Sequence, residues 1–414
     1  MFKPFHSFCA VLFAIALFLC QPVFNVTADE PLKAAFLRDH NLWMKMGDTE
    51  TQLTFQGIAD SPKWSPDGKW IAFSKRDTET SDSEIWVHNV QTKKTFQAFH
   101  SGDHPEWAPN KNILAYQDQS VLDIIDFTGE APLPFQNVAV GVGQYSWLPD
   151  GSGFLATAQA KLLPDGWTNP IIYKIALKEH PDSADLYQQA TKFYVLPSTI
   201  KKGDVEVLSI GASQYKWSPD RNWISFLVNQ TASLSMDSNM LCVLSADGKT
   251  FTPIAEIASR FGAEWAPTTN ALGVIQGGGR IVFGFTNKQL LITQFPSLQS
   301  ESLTPRNYAD LAFTWLNDQA VIVSRTPEQP WSTTPSKRAL PILNRVDLQD
   351  HKTKQVSFPS AGYGDFDPIF LRKQNTLTWT RSNWDKSDVW ISSPDGTNPR
   401  KWIENLESIS WFTK

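Results

Sequence analysis

The chain has 414 residues, of which 19% are charged, and carries a formal net charge of −5 at pH 7. It has no basic run that could neutralise a phosphate backbone, which argues against nucleic acid as a partner. A length prior suggests two or three domains, but an internal repeat overrides that prior.

Residues 1–28 read as an export signal. Lys3 supplies a thin positive end, Ala10 to Leu19 an apolar core, and Val26-Thr27-Ala28 a small-residue cleavage site ahead of Asp29. The core is shorter than the ~20 apolar residues a bilayer span needs, so no integral membrane span is expected after cleavage. A lipid anchor at Cys20 is the alternative, although Leu19 stands where such sites carry a small residue. Loss of the signal removes Cys9 and Cys20 and leaves Cys242 alone, which rules out an internal disulfide in the mature chain. Residues 29–414 are therefore expected as one exported domain, periplasmic or extracellular, associated with the envelope and monomeric.

Three short strands follow, around Ala34-Ala35-Phe36-Leu37, Asn41-Leu42-Trp43-Met44-Lys45 and Thr51-Gln52-Leu53-Thr54-Phe55, with no turn motif ahead of them. The first full unit opens at Trp64-Ser65-Pro66-Asp67-Gly68. Pro66 pre-sets φ for a tight turn, Asp67 tolerates the next position, and Gly68 accepts the left-handed conformation that sends the chain back antiparallel. The apolar run Trp70-Ile71-Ala72-Phe73 then suits a strand covered on both faces. Further units open at Trp107, Trp147, Trp217, Trp265 and Trp315, a degenerate one at Phe370 lacks both Trp and Pro, and Ser408-Ile409-Ser410-Trp411 repeats the incoming strand once more. Anchors recur roughly every 40–55 residues, with one interval near 70, the period of a four-stranded propeller blade. The long interval marks an insertion within 162–204, where Ser183 to Lys192 is the helical candidate with Ser183 as N-cap. A second excess lies at Thr326 to Arg338.

These corners, each followed by strands of the Ile-Ala-Phe and Ile-Trp kind, resemble the WD40-like repeat of TolB-type β-propellers across 34–414. The resemblance implies an all-β propeller of eight four-stranded blades, seven being the alternative, closed by pairing the C-terminal strand with the three N-terminal ones. The same blades occur in TolB, in the propellers of prolyl peptidases and in some polysaccharide lyases, so fold alone does not choose an activity.

Motifs for chemistry are sparse. Gly211-Ala212-Ser213-Gln214-Tyr215 fails the last position of a nucleophile elbow, and Gly277-Gly278-Gly279 precedes a strand where a phosphate cradle needs a helix. His100, Asp103 and His104 are weak metal candidates, and more of their kind would be needed to hold a cation, so no metal is assigned. Of the 17 tryptophans, most occupy anchor or strand positions and read as core, while Trp331 and Trp384 fall in loops. If the Pro-Asp-Gly corners share one face, the loops entering each blade and those joining its second and third strands share the other. That loop face gathers Arg260, Arg306, Tyr308, Tyr363, Asp365, Arg381 and Trp384, taken as the candidate binding residues. The expected role is a non-catalytic scaffold for an envelope protein, a peptide or a glycan, without a cofactor. The rival is a propeller enzyme, a polysaccharide lyase or hydrolase, with its site on the loop face near the central axis.

Overall fold

A computed structural model describes residues 1, 31–129, 131–177, 190–230, 238–257, 263–278 and 285–413. Residues 31–413 form eight antiparallel four-stranded sheets arranged as a propeller, with two small hairpins added. We number blades from the first complete unit. Blade 1 comprises Ile58–Trp64, Trp70–Arg76, Glu84–Asn89 and Lys94–Phe99. Blades 2 to 7 begin with the strands Asp103–Trp107, Gln144–Trp147, Gly211–Trp217, Ala263–Trp265, Tyr308–Asn317 and Gly364–Leu371.

Blade 8 joins the chain's two ends. Ser408–Trp411 pairs with Lys33–Arg38, Ala34 facing Trp411 and Leu37 facing Ser408, and Asn41–Met46 and Thr49–Gln52 complete the sheet. The ring is therefore closed with eight blades, and no terminal blade is left with an open edge.

The corner works as its residues suggest, with one further contact. Ser65 Oγ donates to Asp67 Oδ1 (2.8 Å) and accepts from Trp70 N (3.0 Å), and Asp67 Oδ1 also accepts from Lys69 N (3.0 Å). Gly68 has φ +71°, and a Cβ there would lie 2.9 Å from the Phe412 ring, so the corner of blade 1 also seats the closing strand. Ser218 and Asp220 repeat the arrangement in blade 4, with Arg221 at φ 62° in the glycine's place.

Each interface between neighbouring blades holds its own apolar cluster, eight among the described residues. The anchor tryptophans stitch these interfaces near the axis. Trp107 Nε1 donates to the Lys63 carbonyl of the preceding blade (3.0 Å), Trp147 to Glu106 (3.1 Å), Trp265 to Lys216 (3.0 Å), Trp315 to Glu264 (3.1 Å) and Trp64 to Ser410 (3.2 Å). Blade 7 has Phe370 at this place and cannot donate. Arg372 substitutes, reaching the Leu316 and Trp315 carbonyls of blade 6 at 2.8 Å each. Trp217 keeps the indole, but its buried Nε1 has no hydrogen-bond partner.

The helical expectation is corrected where it can be tested. Residues 178–189 lie outside the described residues, and Ala190–Val195, which takes in the end of the candidate, is the outer strand of blade 3, paired with Ile171–Ala176. Its alternation against the Ile171 strand outweighs a short helical pattern. The insertion contributes the hairpins Leu162–Leu163 with Gly166–Trp167 and Thr199–Lys202 with Val205–Leu208, both on the loop face.

Trp107→Phe and Trp217→Phe remove the same atoms but only the first breaks a hydrogen bond. Chemical denaturation should find Trp107→Phe costlier by about 1–2 kcal/mol.

Candidate functional site

The loop face is set by the ends of the second strands and by a repeated irregularity in the innermost ones. The first strands of blades 1, 2, 4 and 7 bulge, with Ser61, His104, Gln214 and Asp367 at φ 51°, 55°, 56° and 49°. Each lies three residues ahead of its anchor, so the bulge is part of the repeat and turns the strand toward the loop face. Burial pushes the Asp367 carboxyl up to about 6.

The sequence-selected residues do not form one site. Arg260 lies outside the described residues. Arg306 and Tyr308 are exposed on the approach to blade 6, and Tyr363 is half-buried ahead of blade 7. Asp365 and Arg381 are a correction: they are cross-strand partners within blade 7, both buried, and they bind each other. Arg381 Nε meets Asp365 Oδ1 at 2.7 Å and Nη2 meets Oδ2 at 2.9 Å, while Trp379 Nε1 donates to Oδ1 at 2.9 Å. Blade 6 repeats the pair with Asp310 and Arg325 at 2.7 and 2.8 Å. Such forked pairs satisfy the carboxylate within the protein and leave it little capacity for a ligand.

Trp384 is half-buried. Its Nε1 donates to the Ala339 carbonyl (3.0 Å), and its ring packs on Phe366 (5.1 Å), Phe285 (5.7 Å) and Trp331 (6.0 Å). The Arg338 guanidinium sits 4.2 Å from the Trp331 ring centre and 5.3 Å from that of Trp384. This cluster fastens the 326–338 segment to blade 7.

Open space lies elsewhere, over blades 1 to 3. One cavity of about 530 Å³ is bordered by Asp82, His100, Asp103, His104 and Gln117. His100 stacks on Phe99 (4.5 Å), and Asp103 Oδ1 accepts from Ser74 Oγ (2.9 Å) and from His104 N (2.7 Å). No group of three or more His, Cys, Asp or Glu side chains converges for a metal among the described residues. A second cavity, about 590 Å³, enters between blades 2 and 3 past Gly143, Gln159 and Lys161 and reaches Ala156, Tyr173 and Ile175. The first lies at the loop residues His100, Asp103 and His104 that the sequence singles out, whereas no residue selected from the sequence lines the second. The second is legible only when the second strands are compared position by position.

Beneath the first cavity, blade 2 holds an unusual buried pair. Asp123 lies across from Tyr116, whose hydroxyl is buried without a partner, and Asn137 Nδ2 donates to its carboxylate. Burial is the main cause that raises the Asp123 pKa, to about 6.

No family model matches the chain. It is 25% identical over 213 residues to an uncharacterized peptidase, YuxL, of Bacillus subtilis (strain 168), a match covering 45% of this chain and 32% of the relative. Among solved structures it is similar to puromycin hydrolase, with a TM-score of 0.52, 12% identity, and 85% of this chain and 54% of the other covered. It is also similar to the dihydro-heme d1 dehydrogenase NirN, with a TM-score of 0.58, 10% identity, and 95% and 77% covered. The chain thus spans about a third of its curated relative and about half of puromycin hydrolase. At these identities the solved structures speak to the propeller fold alone. The non-catalytic scaffold expected from the absence of motifs is overturned by the kinship in sequence with a protein named a peptidase, and the balance moves to the enzymatic rival.

Asp123 gives a pH test. Its folded pKa lies above the ordinary carboxylate value, so the fold favours the protonated form: the contribution of Asp123 to stability is fully present below about pH 4 and is lost as pH rises through about 6. Asp123→Asn removes that penalty. Thermal melts should show the variant more stable than the parent at pH 8, by roughly 3 kcal/mol at most, with the advantage vanishing near pH 4.

Proposed function

We propose that this chain serves peptide hydrolysis, as the substrate-engaging propeller of a peptidase-type enzyme working on its loop face. The observation that carries the reading is the 213-residue sequence match to a peptidase. The geometry agrees in kind. The corner face is occupied by tight turns braced blade to blade, as where Asn112 Nδ2 donates to Asp67 Oδ2 (2.8 Å) and Asn270 Nδ2 to Asp220 Oδ2 (2.6 Å). The loop face carries the inserted hairpins and both cavities described above. Loops on a rigid closed ring can hold a flexible substrate without the ring deforming.

Within the wider group of such propellers, this reading places the chain with the peptidase propellers and not with TolB itself. Among the described residues, the imidazole–hydroxyl contact is His88 Nδ1 to Thr95 Oγ1 (2.8 Å), which joins two outer strands of blade 1 and is largely shut away from substrate. No catalytic nucleophile is assigned.

Peptides from a proteome-derived library should be retained on the immobilised purified protein, as identified by mass spectrometry, and not on a heat-denatured control. A library that passes through unretained would overturn the reading.

Export is a separate proposal, since residues 2–30 lie outside the described residues. No described helix is long and apolar enough to cross a membrane. N-terminal sequencing of the protein from its native cells should begin at or near Asp29. Met1 retained on the bulk of the protein would refute export by this signal, and a lipidated Cys20 as first residue would move the protein to a membrane anchor.

A further inference from the structure

The cavity between blades 2 and 3 has a specific origin in the repeat. Aligned on the strand registers, the residue of each second strand that faces the preceding blade is Phe73, Tyr116, Phe226, Val274, Val323, Trp379 and Phe36 in blades 1, 2, 4, 5, 6, 7 and 8. Each of these seven side chains is buried in the cluster it shares with that neighbour. Blade 3 alone has a residue as small as alanine there, Ala156, and Ala156 lines the cavity. The cavity therefore opens where the repeat calls for a large apolar side chain, most often an aromatic ring.

Its surroundings say what could replace that ring. The deep wall is apolar, formed by Ala156, Ala158 and Ile175, with Tyr173 across the sheet from Ala156. At the mouth stands Lys161, exposed, and among the described residues lining the cavity there is no carboxylate and no ion pair to Lys161. A volume of about 590 Å³ is within the range of small-molecule sites, ~300–1,000 Å³. A recess with an apolar wall and one cation at its rim is complementary to a ring carried a short distance from an anion.

We propose that this cavity binds an aromatic carboxylate, its ring taking the place of the side chain missing at Ala156 and its carboxylate facing Lys161. A peptide's C-terminal aromatic residue and a free arylalkanoic acid both carry this chemistry. The inference rests on the cavity and stands independently of the peptidase reading.

Isothermal titration of the full chain with Ala-Ala-Phe, with 3-phenylpropionate and with the C-terminal amide of Ala-Ala-Phe tests it. At least one of the two acids should bind, and whichever binds identifies the source as peptide, free acid or both. The amide should bind at least about tenfold more weakly. Ala156→Phe restores the repeat's own ring and should abolish acid binding while preserving the fold, as read by an unchanged or higher melting temperature. Lys161→Gln, a surface change, should weaken the acid at least about fivefold and leave the amide's weak binding unaltered. Failure of both acids to bind the parent chain overturns the proposal. So does undiminished acid binding by Ala156→Phe, or an affinity that does not distinguish acid from amide.

Discussion

The indole hydrogen bond that five anchor tryptophans, Trp64, Trp107, Trp147, Trp265 and Trp315, make to a backbone carbonyl of the blade before them is the interaction on which this ring depends. A propeller blade has no core of its own. Its apolar residues are buried only against its neighbours, and all eight clusters span two blades. Burial by area is non-directional and would tolerate sliding of one sheet on the next. The indole fixes the sliding coordinate, because the acceptor is one defined carbonyl on the innermost strand. Closure inherits the same device: Trp64 reaches the Ser410 carbonyl of the terminal strand, and Phe412 packs on Trp64 at 5.5 Å. Four paired residues can therefore seal the ring because three other constraints act on the same short segment: the indole, the Phe412 ring, and the Phe412 N to Lys33 O bond at 3.0 Å.

A ring fixed in this way also decides what its loops can do. In blades 6 and 7 the arginine at the tip of the second strand is drawn into a cross-strand pair with a carboxylate of the first strand, Asp310–Arg325 and Asp365–Arg381. Both arginines are buried, so each ties the first and second strands of its own blade at the loop-face end and is withdrawn from solvent. Beside them the Trp331–Trp384–Arg338 stack covers the same sector. Among the described residues of blades 1 to 3 no such Asp–Arg pair occurs, and the two loop-face cavities described above lie there.

The fold was legible because the signal that carries it is local. Trp64-Ser65-Pro66-Asp67-Gly68 encodes its own turn through hydrogen bonds within six residues, and copies at Trp147 and Trp217 do likewise. Even closure could be read, since an anchor without followers at Trp411 complements followers without an anchor from Ala34. The candidate site was far less legible. Asp365 and Arg381 look like free loop charges until the register places them opposite each other, and register between strands is a non-local property. Trp384 reads as an exposed ligand platform until the distant Ala339, Phe285 and Trp331 are brought against it. The activity was misjudged for another reason. The absence of an elbow motif was weighed as absence of enzyme function, and fold and missing motifs alone do not decide an activity.

Departures from a repeat separate into two kinds, and the difference bears on function. At Phe370 the anchor indole is lost, and the structure answers within two residues, Arg372 supplying donors to the blade 6 carbonyls. The interface there stays filled, with Trp379 and Trp390 stacked 6.4 Å apart. At Ala156 a large apolar side chain is lost, and its cross-strand neighbours Tyr145 and Tyr173 do not close the space. The facing strand of blade 2 contributes Ala139, another small residue, and the gap remains. A cavity of this kind costs stability through lost apolar contacts, on the order of 20 cal/mol per Å² of its surface. Blade 7 shows that the fold can compensate a lost anchor by a nearby substitution, whereas at Ala156 in blade 3 the flanking tyrosines leave the recess open.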